Sequence, residues 1–509
     1  MIILPQQVNE AIELLENAGF DAYIVGECVR ELIIGNSPQA TLAPQDFDIV
    51  TNASVNDILF AFRDYRLSDE GMARGEILVT ILGMIIQVSP YRSEVVGNRV
   101  IYTDELETDL FRRGFTMNAM AYSPRSGLID PFGGKNCLMG EVKRVVAVGE
   151  NVTKTHKQNG KPVTETYYDM TRSFTSKPSR ILQAIRYCAE GDYEIEENTR
   201  AAMRQNVSCF DYAEKRLVYA ELTRIIMGKY AAKVLVEYAD ILRTILPEIE
   251  PCIGLDQRSP YHEFDVWTHI AKSVGFVPPE PALRYAMLFH DIGKPDCMFV
   301  DSTGRGHFRG HSERSRLLAE GIMRRLEFDR GISKEISWLV YHHDVDIPED
   351  RKQLKALIRE LGAEDLRKLL LCEIADNRSK KNDTECGLVP GLRAALAALN
   401  EIIETGECCD ITQLAVTKRD LLDRRLVRND REAEELLNVL FDIVLDKPSF
   451  NNKLMLLDMA ERSKNKLDQI AAERERKARE EAQAKREREQ FERDRRKEPI
   501  YTKKRKRQG

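Results

Sequence analysis

Residues 46–54 read DFDIVTNAS. The run Phe47 to Thr51 is rich in β-branched and aromatic side chains and is closed by Asn52 and Ser54, which predicts a short strand ending in a turn. Side chains two apart on a strand share a face, so Asp46 and Asp48 project together. Two carboxylates placed side by side repel unless a cation neutralises them. Hard oxygen ligands of this kind suit Mg2+, and a metal pair held this way can activate an attacking hydroxyl and stabilise a leaving phosphate.

Working outward, residues 20–145 alternate short β-rich runs (DAYIVG, FDIVT, ILVTILGMIIQVS, RVIY) with turns and helical stretches, a mixed α/β domain. Gly26 to Arg30 reads as a strand-to-helix turn, where a helix N-terminus can face phosphate. The segment 150–178 is polar, contains Gly and Pro, and has no helical period, so a loop or a β-hairpin insertion is expected. From Arg180 the apolar residues recur at three-to-four spacing with little interruption to about residue 465. The boundaries read from these shifts are 1–149, 150–178, 179–255, 256–450 and a charged helical tail, 451–509.

The chain has 509 residues, 43% apolar and 31% charged, which is ample for several cores. No apolar run reaches the length of a membrane span. The first residues, MIILPQQVNEAIELLENAGF, lack a basic n-region and a small-residue cleavage site. They read as an amphipathic helix rather than a secretory signal. Ten cysteines without a CxxC pair point to reduced thiols, and a cytoplasmic location without membrane partners is expected. The net charge of −6 is uneven: residues 464–509 hold 18 Lys/Arg against 10 Asp/Glu, a net +8, leaving −14 on the rest. The tail is either an electrostatic handle for a polyanion or a solvated charged helix.

Seven of the eight histidines lie between 262 and 343: His262, His269, His290, His307, His311, His342 and His343. LRYAMLFHDIGKP puts His290 and Asp291 at the end of an apolar helix. VWTHI supplies His269 from an earlier helix, and YHHD supplies Asp344 from a later one. His307 and His311, four apart in GHFRGH, leave open a second metal, a phosphate contact or a structural role. Imidazole with carboxylate suits several divalent transition metals.

In fixed order, IVGECVRELIIG, DFDIVTNAS, DLFRRGFTMNAMAY and LIDPFGG resemble the head of class II tRNA nucleotidyltransferases (CCA-adding enzymes) and the related bacterial poly(A) polymerases. The histidine pattern resembles the HD phosphohydrolase superfamily, and bacterial members of the first family carry an HD domain behind head and neck. The resemblance implies an α+β chain, with a mixed α/β nucleotidyltransferase head followed by an all-α neck and HD-domain body. It implies that Asp46 and Asp48 bind Mg2+ and are catalytic. Gly26, Arg30, Arg112, Arg113, Asn118 and Arg180 are then expected near the nucleotide. His269, His290, Asp291 and Asp344 are expected to hold the HD metal, with Lys294 near a substrate phosphate. The implied activity is template-independent transfer of NMP from ATP or CTP to the 3′ end of tRNA, with an HD phosphohydrolase behind it.

Several positions depart from the family pattern. Glu27 stands where it has a second glycine and Glu31 where it has Asp. Gln87 replaces an acid five residues before Arg92, and Gly114 replaces the Asp of Arg-Arg-Asp-Phe-Thr. Ser176-Lys177-Pro178-Ser179-Arg180 stands where the family has Glu-Asp-x-x-Arg, whose Asp and Arg pair with the base. Lysine only donates, so nucleotide choice is expected to differ. Two alternatives stay open: a poly(A) polymerase or transferase of other specificity, and an HD phosphohydrolase whose head is an RNA-binding module.

Overall fold

The computed structural model describes residues 2–35, 46–68, 70–96, 99–158, 161–381 and 387–463, with the isolated positions 476–477 and 483. The basic tail read from the sequence lies almost wholly outside these residues. The architecture is α+β: a mixed sheet formed by the first part of the chain, followed by helices.

Seven strands form the head sheet. β1 (Ala22–Val25), β2 (Phe47–Thr51), β3 (Arg66–Ser68), β4 (Ile77–Ile81) and β5 (Met84–Pro90) are joined by Ala121–Ser123 and Gly127–Ile129. The spatial order is β3, β4, β5, β2, β1, then the last two. β2 is therefore a central strand, antiparallel to β1 and parallel to β5. Its alternation fixes its two faces: Phe47 and Ile49 sink into the core while Asp48 stands half-buried on the other face. In this register Asp48 lies opposite Val25 on one side and Gln87 on the other. The core-facing side is covered by α1 (Gln6–Asn17), whose Val8, Ala11, Ile12 and Leu15 are buried at helical spacing.

Between β1 and α2 (Glu27–Gly35) the chain turns at Gly26, with φ +83°. A side chain is disfavoured there, and a Cβ would stand 3.0 Å from an Arg113 Nη1. The glycine thus lets an arginine close on the turn.

Within 150–178 the chain forms a hairpin, Glu150–Gln158 with Lys161–Asp169, then a short helix, Thr171–Thr175. Helix Arg180–Gly191 follows and is buried along most of its length. The helices Val266–Phe276, Pro281–Phe289, His311–Arg325 and Arg330–His342 carry the histidine-rich segment.

The chain forms two compact units. The first comprises Met1–Val345 with Leu371–Pro390, and the second Asp346–Leu370 with Gly391–Gly509. Residues 256–450, read from the sequence as one region, are shared between them. The second unit has its own core, built on Leu421, Leu436, Leu440, Val444 and Leu456. It also buries Lys355 completely, against Glu407 at 2.8 Å and the Leu445 carbonyl at 3.0 Å.

Candidate active sites

The two histidines His269 and His290 and the carboxylates of Asp291 and Asp376 converge in the first unit. His269 Nε2 stands 3.2 Å from Asp291 Oδ2 and 2.9 Å from Asp376 Oδ1. His290 Nε2 stands 3.2 Å and 3.4 Å from the same two oxygens. The two Nε2 atoms are 3.2 Å apart. Ligand atoms around one ion at bonds of about 2.0–2.1 Å stand roughly 3 Å from each other, and these do.

The other oxygen of Asp291 belongs to a second group. Oδ1 lies 3.3 Å from His311 Nε2 and 3.7 Å from His343 Nε2, which are 3.1 Å from each other. Asp291 thus faces both groups, one oxygen to each.

The second layer fixes the tautomers. His290, His311 and His343 each donate Nδ1–H to a backbone carbonyl, of Met287, Phe308 and Val340, at 2.7–2.9 Å. His269 Nδ1 meets Ser379 Oγ at 2.9 Å. With Nδ1 so engaged, each Nε2 is turned to the centre, where it can supply a lone pair to an ion once deprotonated, the arrangement that metal-binding histidines adopt. The Asp291 carboxylate is buried, with the Lys294 ammonium against it beside four converging imidazoles. Two buried carboxylates and four imidazole nitrogens gathered at ligand spacing form a donor set suited to divalent ions, so the residues present fit metal ions.

Around these groups stand further charges. Lys294 Nζ is 2.5 Å from Asp291 Oδ2 and donates to Gln257 Oε1 at 2.9 Å. Lys380 Nζ is 2.7 Å from Asp376 Oδ2. Burial opposes ionisation of Asp291, but His290, Lys294 and His269 outweigh it and hold the carboxyl well below its usual range. Burial pulls His290 down, and the carboxylates of Asp291 and Asp376 more than reverse this, pushing it up to about 9. Burial, then Lys294, His269 and Lys380, pull His262 down to about 3.

The structure brings together three of the four expected HD ligands and leaves the fourth aside. Asp344 is exposed, whereas His343 beside it is buried. Helix Arg330–His342 carries its αR geometry on through His343. Neighbouring helical residues point about 100° apart, so only one of the pair can face the centre. Asp376 stands where Asp344 was expected. It lies on helix Ala363–Ser379, sharing a face with Cys372 and Ser379, both buried. A carboxylate on an apolar helical face was the signal in ADNRSK. His307 pairs with Asp301 at 2.7 Å, and His342 stacks on Trp338 at 4.4 Å; both are outside the cluster.

In the head, Asp46 is exposed just before β2 and Asp48 is half-buried within it. Burial pushes the Asp48 carboxyl up, Arg113 opposes this, and Glu76 and Asp46 add to it. Ionisation there is disfavoured until a cation arrives, so the pair fits one. Among the described residues, the groups of three or more ligand atoms are the two at Asp291; the head carboxylates form a pair. Glu76, just before β4, stands with them as a third acid in the region, bound to Arg92 at 2.9 Å and Arg74 at 3.4 Å.

Asp109 organises the two arginines. Wholly buried, it accepts from Arg92 N at 3.0 Å and Arg112 Nε at 3.1 Å on one oxygen. On the other it accepts from Arg113 Nε at 3.1 Å and Nη2 at 2.9 Å. Burial raises its pKa, but Arg113 and Arg112 hold it below the usual range. The spacing Asp109, Arg112, Arg113 is the i, i+3, i+4 signature of a helical ion pair. Asp109→Ala is expected to cost roughly 3–5 kcal/mol, because it leaves buried guanidinium groups unpaired, read by urea unfolding. The folded pKa of Asp109 is depressed. Its contribution is therefore present above the ordinary Asp range and lost as pH falls through the folded value.

Arg30 is buried and turned inward, donating to Asn118 Oδ1 at 2.8 Å and to Glu27 Oε1 at 3.3 Å. Asn118 Nδ2 in turn donates to the Tyr187 hydroxyl at 2.8 Å. Glu27, a departure from the family pattern, also accepts from Tyr187 at 2.8 Å and from Arg186 at 3.5 Å. Burial raises its pKa, yet Arg30, Tyr187 and Arg186 bring it down to about 2. Its charge is thus matched within the protein. Arg180 donates to the carbonyls of Ser173 and Arg112 and to Ser176 Oγ. A Cβ on Gly114 would strike its Nε, so glycine there makes room for the arginine. Burial, with Arg180 nearby, lowers the pKa of Lys177.

Residues 22–144 match the Poly A polymerase head domain, and residues 268–380 match the HD domain. Over about half of its length the chain is similar in sequence to CCA-adding enzymes. It is 27% identical to that of Geobacillus kaustophilus over 241 residues, 46% of this chain and 52% of that enzyme. It is 27% identical to that of Pediococcus pentosaceus over 313 residues, 57% and 71% of the two chains. The chain spans about half the length of most of the curated relatives it matches. Its fold is shared with the Bacillus stearothermophilus CCA-adding enzyme in complex with CTP, with a TM-score of 0.60 at 20% identity over 92% of this chain and 100% of that one. It is shared also with the Thermotoga maritima enzyme complexed with tRNA, at 0.52 and 19% over 90% and 96%. No helix among the described residues is long and apolar enough to cross a membrane.

Proposed function

We propose that this chain adds nucleotides from ATP and CTP to the 3′ end of tRNA, and that its HD domain is a metal-dependent phosphohydrolase. The observation that carries the first reading is Asp48 half-buried within a central strand and Asp46 exposed just before it, with Arg113 against the Gly26 turn beside them. CCA-adding enzymes share this fold over nine-tenths of the chain. Mg2+ bound to the pair would activate the RNA hydroxyl and stabilise the leaving pyrophosphate. The protein's own part is positioning and charge. Asp46 and Asp48 orient the ion, and Arg113 and Arg112, aligned by Asp109, neutralise phosphate oxygens. The residues proposed for the nucleotide are Gly26, Arg30, Arg112, Arg113, Asn118 and Arg180. Arg30 and Arg180 act from the inward positions described above, holding the site's walls.

In the HD domain, His269, His290, Asp291 and Asp376 are proposed to hold one divalent ion. Asp291, His311 and His343 are proposed to hold a second, so that Asp291 would serve both groups. Ions held there would supply the Lewis acidity that phosphate-ester hydrolysis needs. The proposed domain limits remain 1–149 for the head, 179–255 for the neck and 256–450 for the HD region and body, with a cytoplasmic location.

The transfer reading is tested by incubating the purified protein with tRNA lacking its 3′ end and each labelled NTP. Ordered addition of C, C and A supports it. Long runs of A alone would replace it with a poly(A) polymerase. An absence of incorporation, with phosphate esters still cleaved, would leave the head as an RNA-binding module.

A further inference from the structure

His262 belongs to the loop that precedes helix Val266–Phe276 and takes no part in either ligand group. Both its ring nitrogens are buried, and neither has a hydrogen-bond partner among the described residues. Its ring packs edge-on against that of His269, with centroids 5.4 Å apart, so it borders the centre without facing it through a bond. A buried imidazole with two unsatisfied nitrogens costs on the order of 1–3 kcal/mol for each group left unpaired. Such atoms in a folded protein call for a partner outside the chain.

The charge of the pocket says what kind of partner. Asp291 and Asp376 are balanced in the protein by Lys294 and Lys380. Each divalent ion taken up adds two positive charges to an interior where they are poorly screened. Once the carboxylates turn to the ions, the two ammonium groups lose their counter-charge as well. The loaded pocket is therefore strongly cationic and will draw an anion with several acceptor oxygens. Lys294 is buried at this centre, and its ammonium lies over the Phe308 ring at 5.3 Å, so it is fixed rather than free to swing out.

Resting on the reading of the HD domain as a metal-dependent phosphohydrolase, we propose that His262 is a substrate-binding residue of that centre. One ring N–H donates to a non-bridging oxygen of a phosphoryl group, which Lys294 and the bound ions also hold. The substrate class is a phosphate ester whose phosphoryl group is small enough to enter between His262 and the ion ligands.

The test is calorimetric titration of inorganic phosphate into the full-length, metal-loaded protein, with acetate as the comparison anion. His262→Ala is expected to weaken phosphate binding at least tenfold with metal content unchanged. His262→Gln, which keeps an N–H donor, is expected to stay within about threefold of wild type. Equal phosphate affinity in wild type and His262→Ala overturns the proposal. Loss of metal in His262→Ala also overturns it, since the residue would then serve the ions and not the substrate. Acetate bound as tightly as phosphate removes the phosphoryl assignment. Should His262→Ala not fold, the ring resonances of His262 in the isotope-labelled wild type give the same answer: they must move when phosphate is added, and unmoved resonances overturn the contact. A wild-type protein that loads metal but takes up no phosphate refutes the phosphohydrolase reading itself, a different result from intact phosphate binding that ignores His262.

Discussion

Asp291→Asn is expected to take the HD centre from two bound divalent ions to almost none, measured by metal analysis after dialysis against a defined metal buffer. The substitution preserves shape and removes the one charge that both ligand groups share. In the first group an amide oxygen replaces a carboxylate beside His269, His290 and Asp376; in the second it leaves two imidazoles and no charge. Hydrolysis of a phosphate ester by this domain should fall by at least a thousandfold, about 4 kcal/mol of transition-state stabilisation. The neighbours separate the alternatives. His343→Ala should lose one ion and keep the other. Asp376→Asn should weaken the first site and spare the second. Asp344→Ala should keep both, because its exposed carboxylate lies outside the centre.

Loading should also depend on pH. In the metal-free protein His290 stays protonated up to about 9, held there by Asp291 and Asp376 against the effect of burial. An ion must displace that proton, so apparent affinity should rise as pH rises towards 9, by up to about tenfold per pH unit for one proton released. A flat profile between pH 6 and 8 would contradict the assignment of His290 as a ligand. Asp291→Asn also strips Lys294 of its counter-charge in a buried place, so the metal-free variant should unfold more readily than wild type. Metal content is therefore measured on protein shown to be folded.

How far these sites were legible in the sequence depends on whether the deciding signal was local. The pair Asp46 and Asp48 followed from strand periodicity; Asp48 lies within β2 and Asp46 immediately before it. His269, His290 and Asp291 followed from their sequence neighbours, and they converge. The fourth ligand did not, because YHHD offered two adjacent candidates and chain order favoured the acid. Which of the two faced inward was set by where helix Arg330–His342 packs, a tertiary fact. Asp376 lies 85 residues beyond Asp291, and only burial of its helical face distinguished it. The spacing of Asp109 to Arg112 and Arg113 is a helical ion-pair signature in the sequence, but its complete burial and its bond to the Arg92 amide depend on tertiary packing. Glu27 stood out only as a departure from the family pattern. Its pairing with Arg30, three residues on, was legible as helical spacing, but its contacts with Tyr187 and Arg186 bring in residues about 160 positions away, which no local pattern reveals.

Asp48→Asn should abolish nucleotide incorporation while leaving the head at least as stable as before. The two effects have one cause. Burial and the nearby charges of Glu76 and Asp46 raise the Asp48 carboxyl above its ordinary pKa, with Arg113 only partly offsetting them. For an acid whose folded pKa is raised, the ionised form weighs against folding at neutral pH, and the penalty fades as pH falls. Removing the charge relieves that strain, so the melting temperature should hold or rise. The same charge is what a cation between Asp46 and Asp48 requires. Without it, incorporation should drop by about a thousandfold or more, roughly 4 kcal/mol, the scale seen when a preorganised electrostatic group is removed. Asp46→Ala should lose incorporation to a similar degree but change stability less, since its side chain is exposed. Hydrolysis by the HD centre should be untouched in both variants, because none of its ligands comes from the head. A variant that loses incorporation together with stability would place Asp48 in the fold and not in the chemistry. One that keeps incorporation would move the transfer site away from β2 altogether.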